Sequence, residues 1–269
     1  MVVALTKREN RRGYSGLYQF DANQYRQNLG RATRFDGSSI IGIGSSLGPL
    51  AGKEGTISMW FRPEVFGSRQ VLLGNSGARF EVSLESNGTM SVNGNTSPSG
   101  TNVLSLTTTV DLGDVNNIGK WHHLMASWNL DTLPVGHVYI DNVDDGTLAV
   151  GIDDTVDYAR VDWSIGGGTN SFSNYTGCIA EIWFSDAYID LSDANNRTRF
   201  VNPHTLGRVF AGENGEWPLT GAGVSDTPWI YLTGAPDTTR KNIGQGADFN
   251  TNIEGQPIIS DWSPIRLGV

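Results

Sequence analysis

The feature that most narrows what this chain can fold into is a repeat of two. From Arg79 to Glu85, Phe80, Val82 and Leu84 fall on one side of an extended chain, and Arg79, Glu81, Ser83 and Glu85 on the other. Asn87-Gly88 then offers the residues of a tight reversal, and Met90 and Val92 resume the apolar side. That pattern predicts a β-hairpin. The same alternation sets His122, Leu124, Ala126 and Trp128 against His123, Met125, Ser127 and Asn129. Val138 and Ile140 form the inner side of another strand, ending at Asp141-Asn142, where asparagine tolerates the left-handed backbone of a tight turn. Short strands divided by Gly, Asn and Asp, with no helices between them, exclude βαβ units and predict an all-β antiparallel sandwich. Two short helical interruptions are expected, one over Ala194–Phe200 capped from Asp190–Asp193 and stopped by Asn202-Pro203, the other near Asp21–Asn28.

The sandwich must be held by its core alone. Cys178 is the single cysteine, which excludes an internal disulfide and any zinc site built on a cysteine cluster. No apolar run approaches the roughly 18–20 residues of a spanning helix, so no membrane insertion is expected. The first residues, MVVALTKREN, hold too short an apolar stretch for a secretory signal. Charge is unevenly spread: Lys7, Arg8, Arg11, Arg12, Arg26, Arg31 and Arg34 face only Glu9 and Asp21, leaving +5 in residues 1–34 and −14 in the rest. With an acidic body behind it, such an arm is suited to protein surfaces rather than nucleic acid.

Four segments, in order, resemble the concanavalin A-like/laminin G-like jelly-roll superfamily. They are Leu17–Asp21 with Arg34–Gly37 and Ile40–Ile43; Gly55–Pro63; Gly119–Leu124 with Gly136–Asp141; and Ser164–Gly167 with Gly177–Phe184. The resemblance covers about residues 14–190 and implies an antiparallel jelly-roll β-sandwich. The chain is accordingly divided into a basic N-terminal arm and first strand (1–31), a laminin G-like jelly-roll domain (14–204) and an extended C-terminal segment with a few strands (205–269). Laminin-type modules pair the cysteine of the Gly-Cys-Ile strand; here Cys178 has no mate and is expected to be buried and inert.

The resemblance leaves the activity open. Glycosidases of the superfamily carry Glu-x-Asp-x-Glu on one strand, and no such triplet occurs; Glu81 and Glu85 are too far apart to copy it. The four histidines, His122, His123, His137 and His204, belong to no His-Glu-x-x-His motif, and Gly42-Ile43-Gly44 continues into no dinucleotide fingerprint. A non-enzyme is expected, and His123 is read as a hydrogen-bonding residue of the sheet. No cofactor is required. Calcium is a candidate, since it commonly sits at the rim of such sandwiches, with Asp36, Asp141, Asp144, Asp145, Asp153, Asp154 and Asp157 as candidate donors; the competing reading is that they serve turns. Glycan binding needs an aromatic face with polar neighbours. Tyr158, Trp163, Phe172, Asn174 and Tyr175 are the loop candidates, while Trp60, Trp121 and Trp128 are assigned to packing.

Pro228–Leu232 followed by Gly244-Gln245-Gly246-Ala247-Asp248-Phe249-Asn250 resembles tails that follow such domains in tailed-phage structural proteins. The expectation is a virion protein of a bacteriophage, from capsid decoration, fibre or tail. Its termini, with Arg8, Arg11 and Arg12 in the anchoring arm, would hold it to other virion proteins and to further copies of itself, and its jelly roll would be free to bind host surface glycans. A freestanding carbohydrate-binding module or lectin is the alternative, and a polysaccharide-degrading enzyme a third reading.

Overall fold

A computed structural model of the chain describes residues 32–43, 45–168, 173–209, 211–220, 227–233, 241–254 and 258–260. Arg8, Arg11, Arg12, Phe172 and the helical turn expected near Asp21–Asn28 lie outside them. Among the described residues there are sixteen strands: β1 Ala32–Asp36, β2 Ile40–Gly42, β3 Glu54–Pro63, β4 Gln70–Gly74, β5 Phe80–Leu84, β6 Met90–Asn95, β7 Asn102–Thr108, β8 His122–Asn129, β9 Val135–Ile140, β10 Val143–Asp144, β11 Gly146–Gly151, β12 Ser164–Ile165, β13 Thr176–Ser185, β14 Ile230–Leu232, β15 Thr251–Glu254 and β16 Ile258–Ser260. A single-turn helix, α1, spans Ala194–Arg197, with the Asp193 carboxylate accepting from the Asn195 N–H at its start. It is shorter than the expected Ala194–Phe200, because the chain passes into turns before Asn202-Pro203.

The strands form two antiparallel eight-stranded sheets. Sheet A runs β10-β9-β8-β3-β13-β1-β16, with β14 beside the far half of β13; sheet B runs β11-β7-β6-β5-β4-β12-β2-β15. The predicted hairpin is β5–β6, with Val82 opposite Val92. The predicted turn at Asp141-Asn142 joins β9 to β10, and both residues take positive φ, 51° and 65°.

Period-two faces meet between the sheets. Phe80 of sheet B lies 5.6 Å from Trp128 and 5.3 Å from Phe184 of sheet A, centroid to centroid, and 5.6–5.7 Å from Trp163 and Tyr158. These rings anchor an apolar core that includes Ile57, Phe61, Leu124 and Leu106, and each large buried side chain contributes about 1.5–3 kcal/mol.

Sheet A is also covered on its other side. Trp60, Met125, Tyr139, Cys178 and Trp183 face outward and are buried by Ile189, Leu191, Phe200, Val201 and Leu219 from the chain after β13. Trp183 Nε1 donates to the Gly215 carbonyl at 2.8 Å. Beyond residue 205 the described chain remains part of the sandwich: β14 pairs with β13, β15 with β2 and β16 with β1. The described residues of the C-terminal segment complete both sheets of their own chain. The Gly-x-Gly-x-Asp-Phe stretch serves this closure. Gly244 and Gly246 lie so close to the Trp229 backbone that a Cβ would fall 2.6 Å from its carbonyl oxygen at Gly246, while Phe249 is fully buried in the core.

Candidate functional site

With Val82, Val92 and Leu106 turned into the core, their strand neighbours stand on the outer face of sheet B. Register aligns Glu81 with Asn93 and Ser105, and in a second row Ser83 with Ser91, Thr107 and Thr147. Neighbouring strands are about 4.8 Å apart, so polar side chains recur about every 5 Å, across three strands in the first row and four in the second. Ser83 and Ser91 are buried, whereas Asn93, Ser105 and Thr107 are half-buried and Thr147 is exposed, so these four offer donors and acceptors at the surface of the ladder.

Arg69, just before β4, lies along the same face. Its Nη2 donates to Glu81 Oε2 at 2.7 Å and to Ser83 Oγ at 3.1 Å, its Nε donates to Glu85 Oε1 at 3.3 Å, and Ser83 Oγ donates to Glu85 Oε1 at 2.7 Å. Burial works against the cation, but the Glu81 hydrogen bond and the charges of Glu81 and Glu85 outweigh it and raise the guanidinium pKa. The result is a fixed polar group, already oriented, at one end of the ladder. At its border, the Val71 N–H donates to the Ser173 carbonyl at 2.7 Å, and Val71 bridges Asn174 in parallel.

The loop candidates do not gather there. Tyr158, Trp163 and Tyr175 are wholly buried core residues, which corrects their assignment to a sugar-facing surface: no ring face is left for a ligand. The Tyr158 hydroxyl accepts from Trp128 Nε1 and donates to the Glu54 carbonyl, both at 2.9 Å. Asn174 alone of the described candidates lies beside the sheet B face. Trp60 and Trp128 are buried and Trp121 packs on the outer cluster of sheet A, all as framework. The residues of the ladder were missed because they have no aromatic signature; their only signal was the polar half of the alternation.

The candidate calcium donors Asp36, Asp145, Asp153, Asp154 and Asp157 are engaged in turns and ion pairs. Asp36 accepts from the Ser38 backbone and from the Ser38 and Ser39 hydroxyls, which hold its pKa down at about 2. Asp145 binds the Thr109–Val110 turn, Asp153 pairs with Lys53, Asp154 accepts from Thr155 N–H and Asp157 holds Arg160. Among the described residues, no three His, Cys, Asp or Glu side chains converge as metal ligands. His123 is buried, stacks on Trp60 at 4.5 Å, and its Nε2 shares a 2.8 Å hydrogen bond with Ser58 Oγ. Burial, reinforced by the Arg208 charge, depresses its pKa to about 3, so this imidazole is a neutral structural group. No helix of the described residues is long and apolar enough to cross a membrane.

Comparison with known proteins places this geometry. A Bacteroides ovatus protein assigned to carbohydrate binding superimposes with a TM-score of 0.55 at 15% identity, over 87% of this chain and 60% of that one. The native heptameric SAP-like pentraxin of Limulus polyphemus gives a TM-score of 0.52 at 12% identity, over 89% of this chain and 98% of its own. At such identities these likenesses speak to fold alone. No curated protein matches the sequence significantly. The family described as the concanavalin A-like lectin/glucanases superfamily matches residues 35–194, more than half of the chain. The ordered motifs, the two stacked antiparallel sheets and this match agree: the chain belongs to the concanavalin A-like lectin/glucanases superfamily.

Proposed function

We propose that this chain is a non-enzymatic glycan-recognition module carried on a bacteriophage virion, and that the sugar lies on the outer face of sheet B. One observation carries the recognition half of this reading: the half-exposed Glu81, Asn93 and Ser105 stand in one register-aligned row, with Thr107 and Thr147 beside them and Arg69 fixed at their edge. Sugar hydroxyls need closely spaced donors and acceptors held before the ligand arrives, and a sheet supplies them at low entropic expense. The likeness to the Bacteroides ovatus protein is in keeping with this reading. Glu81 and Glu85 both accept from one guanidinium, an arrangement that positions a cation rather than an acid–nucleophile pair across a glycosidic bond. The virion half is supported by the Gly-x-Gly-x-Asp-Phe resemblance. Repeated assembly would suit it, and the Limulus pentraxin of the same fold is heptameric.

The test is a glycan array that includes bacterial surface polysaccharides, read with the natural chain and with Asn93→Ala/Ser105→Ala. Saturable binding that the double variant loses, with an unchanged circular dichroism spectrum, is the expected result. A flat array, or binding indifferent to the substitutions, overturns the recognition half. Mass spectrometry of purified particles tests the virion half: absence of the chain leaves a freestanding module. Release of reducing ends from any bound polysaccharide would return the enzyme reading.

A further inference from the structure

Among the described residues, one rim of the sandwich ends in unpaired strand edges. Sheet A ends at β10 and sheet B at β11, and the two strands are joined through Asp145, so both free edges lie on the same side. The outer edge of β11 has no strand partner among the described residues. Its sequence, Gly146-Thr147-Leu148-Ala149-Val150-Gly151, carries none of the lysine, charge or proline with which edge strands ordinarily repel an incoming strand. Beside it, Leu133 is 85% exposed and Ile152 45% exposed, and Pro134 lies against Gly151. Acid flanks the strand at both ends, with Asp144 and Asp145 before it and Asp153 and Asp154 after it; of these, Asp153 is paired with Lys53.

This arrangement selects its occupant. A second β11 pairing antiparallel would bring Asp144 and Asp145 of one copy against Asp153 and Asp154 of the other, like charge on like. A complementary strand is instead uncharged and β-forming, with cations beside it. The chain contains one such segment: Val2-Val3-Ala4-Leu5-Thr6, followed by Lys7, Arg8, Arg11 and Arg12. Because aspartates flank β11 at both ends, the basic run meets acid in either strand direction.

We infer that residues 2–12 of one copy add as a strand to the free edge of β11 in a neighbouring copy, with Lys7 and Arg8 set against its flanking aspartates. The inference rests on the assembly half of the proposed function. Donor segment and receiving edge are different parts of the chain, so exchange between copies is head-to-tail, closing into a ring or growing as a filament. Main-chain hydrogen bonds give the strand its affinity and the charges its register and salt dependence.

The test mixes isotopically heavy and light full-length chains, couples neighbouring amines and carboxylates with a zero-length carbodiimide, and reads the products by mass spectrometry, with solution mass measured by light scattering. Crosslinks from Lys7 to Asp144, Asp145 or Asp154 that join heavy to light chains are expected, together with a mass above that of one chain. Lys7→Glu/Arg8→Glu is expected to weaken the assembly roughly tenfold or more, and mixing it with Asp144→Lys/Asp154→Lys to restore it. Crosslinks only within one isotope, a single-chain mass at every concentration, or an assembly indifferent to both charge reversals would each overturn the inference. A glycan array on the same chains keeps the two ideas apart: a flat array with intact assembly removes glycan recognition and leaves the strand exchange standing.

Discussion

His122 Nδ1 lies 2.8 Å from Asp141 Oδ2, and the same carboxylate accepts the His123 backbone N–H through Oδ1 at 2.8 Å. A single turn residue at positive φ thus ties β8 to the end of β9 and orders two adjacent histidines whose chemistry then diverges. His122 presents Nε2 to the Asn117 carbonyl at 3.0 Å; burial disfavours its charge, but the Asp141 hydrogen bond and charge prevail and its pKa is raised. His123, on the opposite face of the same strand, is held neutral by burial.

These two shifts predict opposite pH dependences. A pKa raised in the fold gives stability that is complete below the unfolded value of about 6.5 and is lost as pH rises through the folded value. His122 should therefore make the fold less stable on the alkaline side, and Asp141→Asn should flatten that decline in urea titrations between about pH 6 and 9. The depressed pKa of His123 acts in the other direction: the fold loses stability as pH falls from about 6.5 toward the folded value near 3. His123→Gln should reduce that acid loss while leaving the alkaline limb unchanged. An alkaline limb that Asp141→Asn does not alter would show that the pair is not coupled to folding.

Tyr158 offers a separation of structure from recognition. Its hydroxyl is buried and bonded on both sides, to Trp128 and to Glu54. Tyr158→Phe leaves the Trp128 indole N–H and the Glu54 carbonyl without this partner and should cost about 1–3 kcal/mol, read as a lower urea midpoint with the slope unchanged. Any glycan affinity should survive at temperatures where the variant is folded. Affinity lost in parallel with a normal midpoint would return Tyr158 to the binding surface.

How far the sequence could be read depends on periodicity. The β5–β6 hairpin and the Asp141-Asn142 turn were legible because alternation and turn chemistry are local. The places of Tyr158, Trp163 and Tyr175 were not, because polar surroundings in sequence suggest an exposed loop, whereas their segments cross the ends of the sandwich and turn the rings inward. The cover on sheet A did leave a trace: β13 reads Thr-Gly-Cys-Ile-Ala-Glu-Ile-Trp-Phe-Ser, nearly continuous rather than alternating, as a strand buried on both faces must be. The ladder on sheet B was half visible, since Ser83, Ser91, Asn93, Ser105 and Thr107 occupy polar positions of the repeat. Their alignment across strands is a matter of register, which no single strand encodes. The short β14, β15 and β16 are too brief to show any period.

Within that cover, Glu181 on β13 pairs with Arg208, and both side chains are almost completely enclosed. Arg208 also donates to the Thr233 carbonyl at 3.3 Å, joining the sheet to the segment after β14. Removing one partner of a buried pair leaves the other charge enclosed, so Arg208→Ala should destabilise by about 3–5 kcal/mol. Replacing both, as Arg208→Met/Glu181→Leu, should recover most of that loss. A double-mutant cycle in urea measures the coupling; additive effects would mean that the pair is solvated in practice.

The C-terminal closure makes the last prediction. Phe249 fills the core from a segment that sequence reading assigned to an extended tail, and Asn242 fixes the approach: its Oδ1 accepts the Tyr231 N–H at 2.9 Å, its Nδ2 donates to the Trp229 carbonyl at 2.7 Å, and its own N–H donates to Asp248 Oδ1 at 2.8 Å. Phe249→Ala should cost about 3–5 kcal/mol, the loss for a large buried aromatic. Gly246→Ala acts without removing any core atom, because the new methyl would meet the Trp229 and Leu47 carbonyl oxygens at 2.6 and 2.8 Å. Backbone cannot yield as a side-chain tip can, so about 1–3 kcal/mol is expected there. If the tail closes the sandwich as one cooperative unit, both variants should lower a single urea transition monitored by tryptophan fluorescence. A separate early transition, with the main one unmoved, would instead show the tail to be a dispensable appendage.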